Sequence, residues 1–300
     1  MENKPSAYES TALREVHAWK NPELGWFGQA MRVINQPLDK AGGAIFATPG
    51  LGDAIKKAFN GIMAVSNDVA QWSVRPETIY AEFRSHGHSE ITKVSDVFTL
   101  DLSEVDKVIG WLDAKYKEIA LVEGAATGAV GLPGIPPDVI TLVTLNLRAI
   151  GEYATYCGFD VSNQAERLFA LNVLGLASSP TDGAKGVAMG QLVRIAQEVA
   201  KKRAWKQLEK EAFVKIVQKI AKAIGVRLTK AKLAQTIPIA GALIGGGFNT
   251  YYTAKVCDAA FYLYRERFVA EKYGPSVIEE TVKPAEDLKP DYEEGSALLS

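Results

Sequence analysis

The sequence has few of the residues, and none of the short motifs, that most often carry enzyme chemistry. It contains 3 histidines and 2 cysteines among 300 residues, which leaves little material for a metal cluster or a thiol nucleophile. The phosphate-binding loop, GxGxxG, GxSxG, HExxH and CxxC patterns are all absent. The sequence therefore predicts no cofactor and no metal, and a non-enzymatic protein is the first hypothesis.

The cysteines, the first twenty residues and the net charge bear on the cellular compartment. Cys157 and Cys257 lie in apolar, helix-like stretches, so we expect buried free thiols in a reducing compartment, with a disulfide left open as the alternative. The first twenty residues contain no apolar run of the kind that signal peptides carry. A net charge of −1 predicts no general attraction to nucleic acid. These features predict a cytoplasmic protein, either free or peripheral at the inner face of the membrane.

Helical periodicity dominates the chain, and strand-like alternation is scarce. We predict an all-α fold, a single large helical bundle in which only residues 91–100 fit an extended segment. Residues 1–20 form an N-terminal arm, 21–275 the helical domain and 276–300 an acidic, disordered tail. The predicted helices cover 7–20, 26–36, 53–72, 76–87, 101–130, 137–157, 162–178, 184–203, 205–225 and 239–274.

Two apolar stretches, 123–151 and 233–254, are rich in glycine and proline. A glycine inside a helix costs about 1 kcal/mol relative to alanine, so we expect the penalty to be offset by close backbone packing. The prolines that follow predict a sharp turn into the next helix. We therefore predict two helical hairpins that pack on each other at the centre of the bundle. The close-packing glycines are Gly124, Gly128, Gly131, Gly134, Gly241 and Gly245.

The second stretch also raises the question of membrane insertion. Its 22 consecutive uncharged residues reach the length of a transmembrane helix. Gln235, Pro238, Asn249 and the glycines oppose insertion. Buried core helices are the leading interpretation, and shallow bilayer insertion and a conventional span are the alternatives.

Four polar residues stand in these apolar surroundings, namely Glu123, Asp138, Arg148 and Asn249. A buried charge needs a partner. Asp138 follows two prolines at a helix start, where free backbone N–H groups are available. Glu123, on the preceding antiparallel arm, is the expected partner of Arg148. The four residues form a predicted polar cluster, either structural or serving a ligand.

A strongly basic segment lies between Arg194 and Lys232, with twelve Lys and Arg residues against three Glu. An apolar stripe that includes Ile216, Ile220 and Ile224 runs along it. Either the stripe faces the core and the lysines are merely solvated, or the basic face contacts acidic lipid headgroups or an acidic protein. The predicted contact residues are Lys201, Lys202, Arg203, Lys206, Lys210, Lys215, Lys219, Lys222, Arg227, Lys230 and Lys232.

Several of these features resemble one known family. Residues 123–125 (EGA), 135–138 (IPPD), 147–148 (LR), 156–160 (YCGFD) and 166–167 (ER), with Ile237-Pro238 near the end, are similar to the EcsC protein family. The resemblance covers about residues 15–275. It implies an EcsC-like helical domain and an association with transport or secretion, because members are encoded beside ABC transporters. Some members carry hydrolase or peptidase labels.

Three functional hypotheses follow. The first is a transport-associated accessory protein that docks through its basic face on an anionic membrane surface or on a membrane protein, an ABC transporter among the candidates. The second is a protein that binds lipid or a small apolar ligand between the hairpins. The third is a hydrolase that uses Glu123 and Asp138.

Overall fold

The computed structural model describes residues 4–20, 51–68, 72–127, 135–178, 192, 214–221, 223–224 and 247–278. Every regular element in these ranges is helical, so the all-α prediction is confirmed. Two short 3-10 helices cover Val94–Thr99 and Pro275–Val277, and residues 214–221 and 223–224 are also helical. The α-helices are α1 (Ala7–Lys20), α2 (Leu51–Asn67), α3 (Pro76–Ser85), α4 (Leu102–Ile109), α5 (Leu112–Thr127), α6 (Ile135–Tyr156), α7 (Gln164–Ala177) and α8 (Gly247–Tyr273).

Helices α6 and α8 form the centre of the described structure. Helix α8 packs against α1, α5, α6 and α7, and α2 and α3 cover other parts of α6. Leu147 of α6 and Phe268 of α8 are fully buried. Because α8 has neighbours on several sides, some of its charged side chains, Arg265, Glu266 and Arg267, are buried and need partners there.

Most predicted helices in the described ranges are present with small shifts of their ends. Helix α1 has the predicted bounds, and α3 begins at Pro76 as predicted. Helix α2 ends at Asn67, five residues earlier than predicted. Trp72 explains the early end, because its buried indole turns back and donates a hydrogen bond of 3.0 Å to the carbonyl of Val65.

The single helix predicted for 101–130 is wrong, because the chain breaks it at Gly110. This glycine has a φ of +51°, a left-handed conformation that glycine tolerates best. Asp101 caps the first half as predicted, accepting a hydrogen bond of 2.9 Å from the backbone N–H of Ser103. The carboxylate of Glu104 bonds Lys107 at 2.7 Å instead of completing a capping box.

The extended segment predicted for 91–100 is also wrong, since Val94–Thr99 is a 3-10 helix. Apolar residues stand at every third position from Ile91 to Leu100, which is the repeat of a 3-10 helix. The carboxylate of Asp96 accepts the backbone N–H groups of Thr92 and Lys93, each at 3.0 Å. These bonds satisfy donors at the start of the helix and favour the tight turn.

Several predictions fall outside the described residues. They include the helices at 26–36 and 184–203, the turns of both glycine-rich hairpins, most of the acidic tail, and the glycines at 128, 131, 134, 241 and 245. The packing of one hairpin on the other therefore stays a prediction. Within the described ranges, no helix is long and apolar enough to cross a bilayer.

Candidate functional site

Gly124 and Asn249 bring α5 and α8 into close contact. Asn249 is buried, and a Cβ atom added to Gly124 would lie 3.1 Å from its Nδ2 atom and 3.3 Å from its Cβ atom. These distances are tighter than ordinary van der Waals contact, so the glycine is what lets the amide approach the helix backbone. The space between these two residues is filled, which leaves no room there for a ligand.

Arg148 does not pair with Glu123, and that prediction is wrong. Its Nε atom donates to the carboxylate of Glu152 at 3.2 Å, one turn later on α6. Lys115 of α5 donates to the other oxygen of the same carboxylate at 2.8 Å. The buried Glu152 therefore takes the place that sequence reasoning had assigned to Glu123.

The two remaining carboxyl groups of the predicted cluster lie in different settings. Asp138 is buried in the first turn of α6, as predicted from the prolines before it. Glu123 is half-buried near the end of α5, and this burial raises its pKa. A carboxyl group of this kind keeps its proton to a higher pH than an exposed one.

Lys215 and Lys219 are the predicted membrane or partner contacts that fall among the described residues. Both are exposed on the helical segment formed by residues 214–221 and 223–224. Val217, Ile220 and Ile224, on the other side of the same segment, are fully buried. The other predicted contacts lie outside the described residues, namely Lys201, Lys202, Arg203, Lys206, Lys210, Lys222, Arg227, Lys230 and Lys232.

The buried side of the segment packs on α7 at Gly175. A Cβ atom added to Gly175 would lie 2.6 Å from Cδ1 of Ile216 and 3.9 Å from Cγ1 of Ile220. The part of the apolar stripe that the structure describes thus packs on the core. What the segment presents outward is its polar face, which carries the two lysines.

The motif at 156–160 forms the turn between α6 and α7. Gly158 has a φ of +87°, and the ring of Phe98 lies 2.7 Å from where a Cβ atom would stand, so both conformation and space require glycine. Asp160 accepts from the backbone N–H and the hydroxyl of Ser162, at 2.8 and 2.7 Å. Asn163 then caps α7 through the N–H of Ala165.

Glu166 forms a buried two-pronged ion pair with Arg267 of α8. The two terminal guanidinium nitrogens, Nη1 and Nη2, each donate to the carboxylate at 2.6 Å, and the side chains of Glu166 and Arg267 are 7% and 3% exposed. The guanidinium carbon lies 4.0 Å from the ring centre of Phe159 and 4.3 Å from that of Phe169. The motif residues therefore join α7 and α8 to the turn between α6 and α7, which is a structural role.

Helix α1 is held on α8 by further ion pairs. Glu9 is fully buried and accepts from Lys272 at 2.8 Å and from the hydroxyl of Tyr273 at 2.7 Å. At the other end of α1, Lys20 donates to Glu266 at 2.6 Å. The polar residues of α8 thus find partners inside the protein.

Arg265 completes this interface between the two ends of α1. It bonds Glu15 at 3.0 Å and Asp106 of α4 at 2.9 Å. Burial raises the pKa of Asp106, although Arg265 and the hydroxyl of Tyr8 oppose that effect. Sequence reasoning missed these ion pairs and the one at Arg267, because their partners lie about 100 to 260 residues away. The one available signal was the run Arg265-Glu266-Arg267, three adjacent charges within the helix predicted for 239–274.

Both cysteines are free and buried, as predicted. Burial raises the pKa of the Cys257 thiol to about 12 and also raises that of Cys157. Neither thiol is a nucleophile near neutral pH. Among the described residues, no group of His, Cys, Asp and Glu side chains could hold a metal ion.

These features define a class of all-α protein in which the motif residues build a central helical core. The chain matches the model of the EcsC protein family over residues 10–269, and it belongs to that family.

Two relatives from Bacillus subtilis (strain 168) show the same similarity. Protein EcsC is 27% identical over 190 residues, which cover 63% of this chain and 74% of that protein. The uncharacterized protein YdbA is 23% identical over 264 residues, covering 87% of this chain and 92% of the relative. No solved structure matches the chain.

Proposed function

We propose that this EcsC-family protein is a non-enzymatic accessory protein that docks on the anionic cytoplasmic surface of a membrane. Docking uses the basic face of residues 201–232. A role beside a transporter is an expectation from the family resemblance, and docking brings the protein to the surface where such a partner lies.

The observation that carries the proposal is the orientation of the helical segment formed by residues 214–221 and 223–224. Val217, Ile220 and Ile224 are fully buried, while Lys215 and Lys219 are exposed. A helix with an unpartnered apolar face would bind a bilayer by burying that face. Here the core already covers that face, so the face that stays exposed is the polar one, which carries Lys215 and Lys219.

Charge distribution also favours an anionic surface. The segment from Arg194 to Lys232 has a surplus of nine positive charges in a chain whose net charge is −1, so the rest of the chain is strongly acidic. An anionic leaflet attracts this basic segment and repels the acidic remainder of the chain. Each lysine near that surface contributes about 1 kcal/mol. Binding through head groups alone is screened by salt.

Flotation of the protein with lipid vesicles tests the proposal. We expect the protein to float with vesicles containing about one third phosphatidylglycerol, to stay in solution with pure phosphatidylcholine, and to leave the anionic vesicles at about 0.5 M salt. Absence from anionic vesicles at low salt contradicts the proposal. Equal binding to both lipids, unaffected by salt, contradicts the electrostatic mechanism.

A charge reversal assigns the binding to this face. The variant Lys215→Glu/Lys219→Glu loses the attraction of two lysines, about 2 kcal/mol, and we expect at least a roughly thirtyfold weaker affinity for anionic vesicles. The matched control is Lys56→Glu/Lys57→Glu on α2, which makes the same charge change at exposed positions. If both variants bind equally well, the basic face of 201–232 is not the docking surface.

A further inference from the structure

Helix α5 has one side in the core and an unusual opposite side. Leu112, Tyr116 and Ala120 are buried along its inner side. Three of the four exposed large hydrophobic residues in the described part of the chain belong to its outer side. They are Trp111 just before the helix, 84% exposed, Leu121, 50% exposed, and Val122, 65% exposed.

The exposure of Trp111 is built into the fold. Gly110 ends α4 with a φ of +51° and turns the chain sharply. Leu112, directly after Trp111, is 4% exposed and anchors the start of α5 in the core. The carbonyl of Trp111 accepts the N–H of Lys115 at 3.1 Å, which fixes the backbone in the first helical turn. With the leucine held inward, the indole points away from the protein.

The outer side of α5 carries a regular stripe. Trp111, Lys115, Glu118 and Val122 are separated by four, three and four positions, so they lie in one line along the helix. Ala114 and Leu121 flank this line. The line is apolar at both ends, with one positive and one negative side chain in the middle.

The spacing is the same when the line is followed from either end. An identical helix placed antiparallel across a two-fold axis sets Trp111 opposite Val122 of the second copy. The same arrangement sets Lys115 opposite Glu118 of the second copy, twice by symmetry. An isologous contact of this kind needs a self-complementary surface. The outer side of α5 meets this requirement, because apolar positions meet apolar positions and the positive charge meets the negative one.

We propose that the outer side of α5 is the interface of a homodimer in which two copies of α5 pack antiparallel. A lipid surface fits this side less well, because the bilayer would cover Lys115 and Glu118 without supplying a partner for the carboxylate. A second copy supplies partners for both. Lys115 also donates to Glu152 at 2.8 Å, and this bond orients its ammonium group.

The size of the interface sets the expected affinity. Helix α5 has 16 residues and is therefore about 24 Å long. One pair of such helices buries less surface than the roughly 1,200 Å² at the low end of stable complexes. We therefore expect a concentration-dependent dimer with a dissociation constant on the order of micromolar.

Cysteine crosslinking tests the antiparallel arrangement. The two native cysteines are fully buried, so the variants Trp111→Cys and Val122→Cys each add one accessible thiol. A mixed dimer of the two variants places the new thiols opposite each other and keeps one native Trp111–Val122 contact at the other end. We expect a disulfide-linked dimer on mild oxidation of the mixture, and little from either variant alone or from Lys56→Cys mixed with Val122→Cys.

Two crosslinking outcomes overturn the proposal. Efficient linkage of Trp111→Cys to itself indicates a parallel contact. Linkage no greater than that of the Lys56→Cys control indicates random collision.

Sedimentation equilibrium supplies an independent measurement on the full chain. Glu118→Lys sets like charges against Lys115 of the second copy, and we expect dimerisation to weaken at least about tenfold. The matched control Glu90→Lys, at an exposed position near His88, should leave the dissociation constant unchanged. Circular dichroism shows whether each variant is folded.

A wild-type protein that stays monomeric up to about 200 µM overturns the proposal, since a micromolar dimer would be mostly assembled there. So does an unchanged constant for Glu118→Lys. If the wild type is monomeric and Trp111→Ser reduces flotation with lipid vesicles, lipid and not a second copy is the occupant of this side.

Discussion

Removing the carboxylate of Glu166 is the sharpest perturbation of the core that the structure allows. In the wild type, the side chain of Arg267 is 3% exposed and donates two hydrogen bonds of 2.6 Å to Glu166. Glu166→Ala removes both bonds and leaves the guanidinium buried without this carboxylate. An unpaired buried charge after loss of one partner costs about 3–5 kcal/mol. The rings of Phe159 and Phe169 contact the guanidinium in the wild type and in the variant alike. Their attraction therefore cancels when the two unfolding free energies are compared.

Urea unfolding followed by circular dichroism measures the loss of unfolding free energy. A matched control is Asp113→Ala on α5, whose carboxylate bonds Lys117 at 2.6 Å while both side chains are more than a third exposed. Exposed pairs one helical turn apart contribute about 0.3–0.5 kcal/mol. The double variant Glu166→Leu/Arg267→Met replaces both charges by apolar groups, and we expect it to recover at least half of the loss.

The reasoning is refuted if Glu166→Ala costs no more than Asp113→Ala. It is also refuted if the double variant is no more stable than Glu166→Ala. Either result shows that the charge of Arg267 finds other partners or solvent when Glu166 is removed.

Three other predictions address the turns and the thiols. Gly158→Ala should cost about 2–4 kcal/mol in urea unfolding, because a φ of +87° and the ring of Phe98 at 2.7 Å both oppose a Cβ atom; a cost below about 1 kcal/mol contradicts this. Burial would raise the pKa of Asp101, but hydrogen bonds from Ser103 and Ser6 outweigh burial and lower the pKa. Asp101→Ala should therefore lower the unfolding free energy by about 1 kcal/mol at pH 7. The difference between wild type and variant should shrink as the pH falls below about 4, and a difference that does not depend on pH contradicts this. Cys157 and Cys257 should react with a thiol reagent only after unfolding, giving two thiols per chain; none after unfolding would indicate a disulfide.

Local signals predicted much of the described fold. Asp101 and Pro76 mark helix starts that the structure contains, because capping and fixed proline geometry depend on neighbouring residues. The same reasoning failed at Gly110, where one left-handed residue divides a pattern that is helical on both sides. It also failed at 91–100, where an apolar repeat of three was interpreted as an extended segment.

The polar contacts were the least predictable part. The partner of Arg148 is Glu152, within one turn, whereas the prediction favoured a residue on another helix. The partner of Arg267 is 101 residues away, and no spacing rule connects the two. Long-range ion pairs depend on how helices are arranged in three dimensions, and one sequence carries little information about that arrangement.

The exposed stripe on α5 shows a related limit. Trp111 and Val122 lie in an amphipathic pattern that could have faced the core, and only the positions of Leu112 and Tyr116 decide which side is buried. The basic segment had two interpretations, namely an apolar stripe that faces the core beneath solvated lysines, and a basic face that contacts acidic lipid or an acidic protein. The burial of Val217 and Ile220 shows that this part of the stripe faces the core. The flotation assay tests what the lysines contact.

The most direct test of membrane docking is to locate the outer side of the helical residues 214–221 relative to the lipid. Gln218 is exposed between Lys215 and Lys219, and Gln218→Cys accepts a fluorophore because the native thiols are buried. With anionic vesicles, our account predicts quenching by lipids that carry a quencher on the head group and none by lipids that carry it deep in the acyl chain. Emission that no vesicle alters, or quenching from the acyl chain, would contradict the account.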